Sequence, residues 1–296
     1  MALYLFAMDH RGWLSRAVSK TVDTAEADLA STVHQIKQLC YAGLELAIAR
    51  GVPLGNAGVL VDEEFGEDIA RRARSVGVTL SVAIERADQE VFEPEYGDLW
   101  LSHVAKLNPD LPKVLIRHNV EADRAGLDIQ LRRVRQVSDE LHDAGHALML
   151  ELLVPPTSDQ LALVGGDVRA FDDHVRPELT IRAVEEIRSA GIRTECWKVE
   201  GVSSVARAAE LADACTHDGG GSCLVLGRNA GWDELDRWLA NAAASPSFDG
   251  FAIGRTLWWE SAVEFLSGTS WDVAVEQIAI NYRRAVDTYE TARAGV

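Results

Sequence analysis

The chain has 296 residues, which is enough for one large domain or two ordinary ones. Hydrophobic residues make up 47% and charged residues 25%, a balance that excludes an intrinsically disordered chain, and no apolar run is long enough to span a membrane. A net charge of −17 repels both nucleic-acid phosphates and anionic lipid surfaces. We therefore expect neither a nucleic-acid partner nor a membrane partner.

Cysteine usage and the first residues indicate a reduced, cytoplasmic protein. The four cysteines form no CxxC pair. The apolar residues 2–8 lack the basic segment of a signal peptide and are followed at once by Asp9. Lysine is rare among the 29 basic residues, so a lysine inside an apolar segment is of particular interest.

Eight short apolar runs rich in β-branched residues predict strands, and the longer amphipathic stretches between and after them predict helices. The predicted strands are residues 4–8, 57–61, 78–85, 113–119, 147–154, 194–200, 223–227 and 250–254. The predicted helices are residues 24–50, 66–75, 96–107, 128–144, 177–190, 203–215, 232–243, 259–266 and 271–293.

This alternation favours one fold class. Strands that are apolar on both faces and separated by helices indicate a parallel sheet with helical crossovers, and eight such units close a barrel. The alternative is an open doubly wound sheet, which usually carries a glycine-rich turn after its first strand. Residues 9–12 are charged instead and contain no GxGxxG pattern. The sequence therefore predicts an α/β protein, a single (β/α)8 TIM barrel over residues 1–296 with extra C-terminal helices.

In such a barrel the reactive side chains lie at the C-terminal ends of the strands and in the loops that follow. These places are unusually charged in this sequence. The candidate residues for catalysis or substrate binding on the first six strands are Asp9, Arg11, Glu85, Lys113, Arg117, Glu151 and Lys198.

Lys198 and Glu151 are the strongest candidates. Lys198 shares one face of its strand with Cys196 and Glu200, and that face should be the barrel interior. A buried lysine loses hydration, which favours the neutral amine and makes it a nucleophile toward carbonyl groups. Glu151 interrupts an apolar run, where a carboxylate is costly unless it is paired or used. The two are a candidate proton-transfer couple, and the alternative is a structural ion pair of Lys198 with Glu151 or Glu200.

Two further features concern lysine and phosphate. Lys113 opens the fourth strand, where a lysine is more often solvated than catalytic, and parity places it on the face of Arg117. Gly227-Arg228 and Gly254-Arg255 end the seventh and eighth strands, where barrel enzymes often hold a phosphate with backbone N–H groups and a cation. These pairs predict a phosphate pocket.

We expect no metal and no cofactor. His142 and His146 have the i,i+4 spacing of a helix, but Gly145 between them indicates that the helix ends there. The acidic residues 62–64 could hold Mg²⁺ or could equally bind substrate hydroxyls.

Several motifs occur in the order found in one enzyme family. They are Asp9-His10-Arg11-Gly12, Glu85-Arg86, Lys113-Val114-Leu115, Leu150-Glu151-Leu152, Trp197-Lys198-Val199-Glu200 and residues 250–255. Over nearly its whole length the chain resembles class I aldolases of the tagatose-bisphosphate aldolase type. Through residues 83–89 and 176–180 it resembles more closely the aldolase-like domain (DUF2090) that follows the sugar kinase 5-dehydro-2-deoxygluconokinase in some proteins of myo-inositol catabolism.

The resemblance implies that Lys198 forms a Schiff base, Glu151 shuttles protons, Lys113 assists nearby and Asp9 orients the substrate. The chain departs from the family pattern at His10, where glutamine is expected, and at residues 117–119 and 227–229. These departures leave the lyase class intact and leave the sugar open.

The predicted function is that of a metal-independent class I aldolase, a carbon–carbon lyase acting on a phosphorylated ketose or keto-acid. The favoured substrate is 2-deoxy-5-keto-gluconate 6-phosphate, which would give dihydroxyacetone phosphate and malonate semialdehyde. The alternatives are a sugar-phosphate isomerase or epimerase without a covalent intermediate, and a non-catalytic sugar-phosphate-binding barrel. The expected partner is a small sugar phosphate, and the oligomeric state stays open, with a homo-oligomer as one option.

Overall fold

The predicted strands form a closed barrel of eight parallel strands. The structure, a computed structural model, describes residues 2–22, 26–216 and 221–295. The strands are β1 (Leu3–Ala7), β2 (Ala57–Val61), β3 (Thr79–Ala83), β4 (Leu111–Arg117), β5 (Met149–Leu153), β6 (Cys196–Glu200), β7 (Ser222–Leu226) and β8 (Gly250–Ile253). Each pairs with its neighbour in chain order, and β8 pairs with β1. The predicted (β/α)8 TIM barrel is therefore confirmed.

Helices surround the barrel and connect its strands. They are α1 (Gly12–Thr21), α2 (Glu26–Ala49), α3 (Glu63–Val76), α4 (Trp100–Leu107), α5 (Arg124–Asp143), α6 (Ser158–Leu163), α7 (Val168–His174), α8 (Arg176–Ser189), α9 (Val205–Thr216), α10 (Trp232–Ala243), α11 (Arg255–Leu266) and α12 (Trp271–Ala294). Short 3₁₀ turns occupy Leu54–Asn56 and Gly97–Leu99. None of the helices in the described ranges is both long and apolar enough to cross a membrane.

Three short helices, α1, α6 and α7, were not predicted from the sequence. Helix α1 buries only Leu14 and Val18, so its apolar period is brief. Helices α6 and α7 have six and seven residues, too few to show a helical period. They begin at side-chain caps: Thr157 and Gln160 form a capping box, and Asp167 accepts two backbone N–H groups.

The barrel interior holds a small apolar layer of its own. Its buried members are Leu5, Ala7, Leu60, Met149, Cys196, Leu224 and Ala252. Trp197 instead packs in the larger apolar cluster. This alternation confirms that Lys198 lies on the inner face of β6, as predicted from its parity with Cys196.

The C-terminal helix α12 packs against α2, α10 and α11. The hydroxyl of Tyr282 donates a hydrogen bond to the carbonyl of Tyr4 (2.6 Å), and that of Tyr289 donates to the carbonyl of Phe248 (2.9 Å). In α11, the indole N–H of Trp258 donates to the carbonyl of Ala7 (3.0 Å). Helices α11 and α12 therefore seal the outside of the barrel where its first and last strands meet.

Candidate active site

Two adjoining cavities, of about 150 and 320 Å³, lie at the C-terminal ends of the strands. The smaller lies toward β1, β3 and β4, and the larger extends toward β7 and β8. The residues that line both cavities are His10, Trp13, Asp88, Leu115, Arg117, Glu151 and Lys198. Each of the predicted catalytic and substrate-binding residues lines at least one of the two.

Lys113 lies at the centre of a buried cluster of charges. Its Nζ atom is 2.6 Å from Asp9 Oδ2, 2.8 Å from Glu85 Oε1 and 3.0 Å from Glu151 Oε2. Its side chain is fully buried, so the expectation that a lysine at the start of a strand is solvated is wrong here. A strand-initial lysine is buried here because β4 starts early, at Leu111, which places Lys113 well inside the barrel.

Lys198 stands beside the same carboxylate. Strand register places Glu151 opposite Lys198, and Lys198 Nζ lies 2.9 Å from Glu151 Oε1. Glu151 therefore bridges the two lysines, one with each oxygen. In the described part of the chain, Lys198 forms this one ion pair, whereas Lys113 forms three. Glu200, the other candidate partner of Lys198, pairs with arginines instead.

The cluster fixes the charge of its members. Burial by itself would lower the pKa of Lys113, but Asp9, Glu151 and Glu85 outweigh it and hold that pKa well above its usual value. Burial would raise the pKa of Glu151, but Lys113 and Lys198 together hold it below its usual value. The same balance, dominated by Lys113, keeps the pKa of Asp9 far below its usual range. Lys113 is thus an ammonium ion, and both carboxyls are ionised.

Glu85 and Arg11, predicted to bind substrate, are engaged by the protein itself. Glu85 Oε2 accepts the backbone N–H of Leu115 (3.2 Å) while its other oxygen binds Lys113. Arg11 is buried and donates to the carboxylate of Glu95 (2.9 Å) and to the carbonyl of Glu85 (2.5 Å). Both residues hold the loop after β3 against the cluster, and direct binding of substrate by either stays a prediction.

Arg255 begins α11 at the wall of the larger cavity. Its guanidinium lies over the ring of Trp13, 4.8 Å from the ring centre, and has no carboxylate partner among the described residues. Burial lowers the pKa of Arg255 from its very high usual value, although Asp9 and Glu151 oppose this. Because the first N–H groups of a helix also lack acceptors, this corner offers several donors to an anion.

Gly254, just before Arg255, is required by close packing. A Cβ atom there would lie 2.8 Å from the carbonyl oxygen of Ala7 and 2.9 Å from Cε1 of His10. At the neighbouring strand end, a Cβ atom on Gly227 would lie 3.1 Å from Ile253. Both glycines therefore let the strand ends approach each other at the cavity wall.

Arg228 differs from Arg255, because it is already paired. It binds Asp172 (2.5 Å) and Glu200 (2.9 Å), and these two carboxylates also bind the buried Arg176 (3.2 and 2.8 Å). A phosphate would have to compete with both carboxylates for Arg228. Arg117, by contrast, donates only to the carbonyl of Gln89 (3.1 Å) and has no carboxylate partner in the described ranges.

Sequence reasoning missed several residues that line the cavities. Trp13 and Arg16 come from the unpredicted helix α1, and Arg16 pairs with Asp88 (2.5 Å). Gln89 comes from the loop after β3. His10 was recognised within the motif Asp9-His10-Arg11-Gly12 and as a departure from the family pattern, but it was given no role. A signal was available, since all four lie in the segments after β1 and β3 that also hold the predicted site residues Asp9, Arg11 and Glu85.

The acidic residues 62–64 do not face the cavities. Asp62 caps α3 and forms a buried ion pair with Lys37, while Glu63 binds His103 (2.9 Å) and Lys106 (2.9 Å). Asp62 and Glu63 are therefore paired with cations of the protein itself, and none of the three residues lines either cavity, which contradicts the expectation that this segment binds substrate hydroxyls there. Within the described residues, no group of three or more His, Cys, Asp or Glu could hold a metal ion.

Comparison with known proteins gives a family and a fold. A family model described as "Uncharacterized protein conserved in bacteria (DUF2090)" matches residues 1–293. No curated protein sequence matches the chain. The crystal structure of a Corynebacterium glutamicum protein is similar with a TM-score of 0.62 and 20% identity, covering 98% of this chain and 86% of that one.

Two aldolase structures are also similar. A Schiff-base-forming fructose-1,6-bisphosphate aldolase has a TM-score of 0.58 and 12% identity, covering 97% of this chain and 93% of that one. An archaeal fructose-1,6-bisphosphate aldolase, with its catalytic lysine bound to a carbinolamine intermediate, has a TM-score of 0.56 and 13% identity, covering 94% of each chain. At such identities the likeness establishes the barrel fold.

Proposed function

The chain belongs to the DUF2090 family of bacterial proteins, and we propose that it is a class I aldolase whose Lys198 forms a Schiff base with a phosphorylated ketose or keto-acid. The observation that supports this most is the contrast between two buried lysines that share one carboxylate. Lys113 pairs with three carboxylates, whereas Glu151 is the one carboxylate that pairs with Lys198 among the described residues.

This contrast assigns the two lysines different tasks. An amine attacks a carbonyl carbon only when it has lost its extra proton, and three carboxylates keep Lys113 protonated. Lys198 lines both cavities and can pass a proton to Glu151 at 2.9 Å. The ammonium of Lys113 holds Glu151 as an ionised carboxylate, ready to accept a proton.

The reaction that we propose uses these positions. The amine of Lys198 attacks the ketone carbon, a carbon–nitrogen bond forms, and the resulting carbinolamine loses water to give an iminium ion. Glu151 then takes the proton of the β-hydroxyl group, whose oxygen becomes the aldehyde oxygen as the carbon–carbon bond breaks. The electron pair of that bond moves to the iminium nitrogen and leaves an enamine. Protonation at carbon and hydrolysis release the ketone and restore Lys198.

The substrate we favour is 2-deoxy-5-keto-gluconate 6-phosphate, with dihydroxyacetone phosphate and malonate semialdehyde as products. Six arginines line the two cavities, and four of them are paired with carboxylates: Arg11, Arg16, Arg86 and Arg228. Among the described residues Arg255 and Arg117 have no carboxylate partner, and they lie at the ends of β8 and β4, on opposite sides of an eight-stranded barrel. Arg255 would hold the phosphate, and Arg117 would bind the carboxylate at the other end.

Reduction with borohydride tests the Schiff base, since hydride fixes only an imine. The protein is incubated with dihydroxyacetone phosphate and borohydride, and its peptides are then weighed by mass spectrometry. We expect the reduced ligand on the peptide that contains Lys198. Lys198→Ala should lose both label and turnover, whereas Lys106→Ala, at an exposed lysine, should lose neither.

Three other outcomes of this experiment would contradict a Schiff base at Lys198. A label on Lys113 would move the nucleophile to β4. Turnover of a sugar phosphate without any label would favour the isomerase or epimerase, and binding without turnover would favour a non-catalytic role.

A further inference from the structure

His10 lies at the junction of the two cavities. It follows Asp9 at the end of β1, and its side chain lines both cavities. About a quarter of the side chain, 23%, is exposed. The mechanism proposed above does not use it.

Packing fixes the position of this imidazole. Its ring meets the rings of Trp13 and Trp258 edge to face, at centre distances of 5.8 and 5.6 Å. On a third side it approaches Gly254 so closely that a Cβ atom there would overlap it. The neighbours that hold His10 are therefore aromatic rings and backbone, and among the described residues none of them is a hydrogen-bond partner of its Nδ1 atom.

The buried Nδ1 atom of His10 has no hydrogen-bond partner in the described part of the chain. The nearest carboxylate oxygen, Asp9 Oδ1, is 3.9 Å away, which is beyond hydrogen-bond distance. The other oxygen of Asp9 binds Lys113. A buried polar atom without a partner costs free energy. Because Nδ1 itself is shielded from solvent, a bound molecule would contact the imidazole through the part of the ring that is exposed at the cavity wall.

The surroundings of His10 favour its neutral form near pH 7. Burial lowers its pKa to about 3, and the cations Arg255, Lys198 and Lys37 oppose its protonation further, while Asp9 alone favours it. A neutral imidazole presents one N–H donor and one acceptor nitrogen. It can therefore bind either a carbonyl or a hydroxyl oxygen, and it does not repel the nearby cations.

We propose that His10 is a substrate-binding residue that hydrogen-bonds a carbonyl or hydroxyl oxygen of the bound sugar phosphate, next to the phosphate held by Arg255. This contact would fix the ligand between Arg255 and Lys198. The inference rests on the proposed function for its ligand class, but it does not require a covalent intermediate.

The first test compares two variants for binding of dihydroxyacetone phosphate and of inorganic phosphate, measured by calorimetry. His10→Gln keeps a donor and an acceptor, so its Kd for dihydroxyacetone phosphate should stay within about threefold of the unmodified value. His10→Phe keeps a planar ring and removes the hydrogen bond, so this Kd should rise about five- to tenfold. The Kd for inorganic phosphate should change in neither variant. His142→Phe, at an exposed histidine on α5, is the control.

Equal losses in both variants, or an equal loss for inorganic phosphate, would overturn the proposal, because they would show that His10 only supports the packing around Arg255. If His10→Phe does not fold, NMR of the unmodified protein with labelled histidine decides. The His10 signal, identified by its absence in His10→Gln, should move when dihydroxyacetone phosphate binds, and an unmoved signal would overturn the proposal. A signal that moves without borohydride trapping would contradict the aldolase and leave the role of His10 standing.

Discussion

Lys113 and its three carboxylates form a buried cluster that sets the charge of the site but costs free energy to bury. Asp9, Glu85 and Glu151 are each within 3.0 Å of its Nζ atom. Burying so many charges is unfavourable unless each finds a partner, and removing a single partner leaves the others uncompensated. The stability of the protein and the charge of its site therefore depend on the same lysine.

We expect Lys113→Met to destabilise the protein by about 3–5 kcal/mol at pH 7, because three buried carboxylates then lose their central cation. In the unmodified protein the pKa values of Asp9 and Glu151 are lowered, so their contribution is present above about pH 4 and is lost as the pH falls through the lowered values. The raised pKa of Lys113 adds a contribution that is present below about pH 10 and is lost as the pH rises through the raised value.

Below pH 7, the stability of Lys113→Met should change with pH in the opposite direction to that of the unmodified protein. Without Lys113 the buried carboxylates take up protons readily, so its stability should rise as the pH falls from 7 to about 5. Urea unfolding at a series of pH values measures both curves. Parallel curves for the two proteins would mean that Lys113 does not hold the charge of these carboxyls.

Arg255 and Arg228 should respond differently to removal. Arg255→Ala should raise the KM for a phosphorylated substrate about ten- to a hundredfold, since a charge-assisted hydrogen bond of about 1.5–3 kcal/mol is lost. Arg228→Ala should raise KM less and should lower stability by about 1–3 kcal/mol, because it removes one cation from Asp172 and Glu200.

Steady-state kinetics with phosphorylated and dephosphorylated substrate separate these effects. Arg132→Ala, at an exposed residue of α5 outside the cavities, is the control and should change neither KM nor stability. A larger KM effect at Arg228 than at Arg255 would place the phosphate at the end of β7.

At the scale of elements, the barrel could be predicted and several of its contacts could not. Each predicted strand begins and ends within about two residues of the strand in the structure, because buried parallel strands leave continuous apolar runs in the sequence. The inward-facing position of Lys198 could also be predicted, from the alternation of side chains along its strand. The pairing of Arg228 with Asp172 was not, because Asp172 lies in the short, unpredicted helix α7. The burial of Lys113 could not be predicted either, because it depends on β4 beginning two residues earlier, at Leu111.

Gly254, between β8 and α11, tests how closely these elements must approach. We expect Gly254→Ala to destabilise the protein by about 1–3 kcal/mol and to displace His10, since the added Cβ would lie 2.8 Å from a backbone oxygen. Gly231, before α10, has no heavy atom within 4 Å of such a Cβ, so Gly231→Ala should change stability by less than about 1 kcal/mol. Thermal unfolding measures both variants, and equal changes would show that the strand end can relax around a methyl group.

At the scale of the whole molecule, the single domain over residues 1–296 stays a prediction. We expect one cooperative unfolding transition in urea, because the pairing of β1 with β8 joins the two ends of the chain in one sheet. Tryptophan fluorescence and far-UV circular dichroism should report the same midpoint. Two separated midpoints would indicate two units that unfold independently.

The pairing of β1 with β8 also orders events during synthesis. Leu3 pairs with Gly250, so β1 leaves the ribosome long before β8 and cannot complete its hydrogen bonds until β8 has also emerged. Until then one edge of β1 stays open, and such edges can pair with other chains. The nascent protein therefore depends on slow, late closure, and we expect chaperones that shield exposed strand edges to raise its yield.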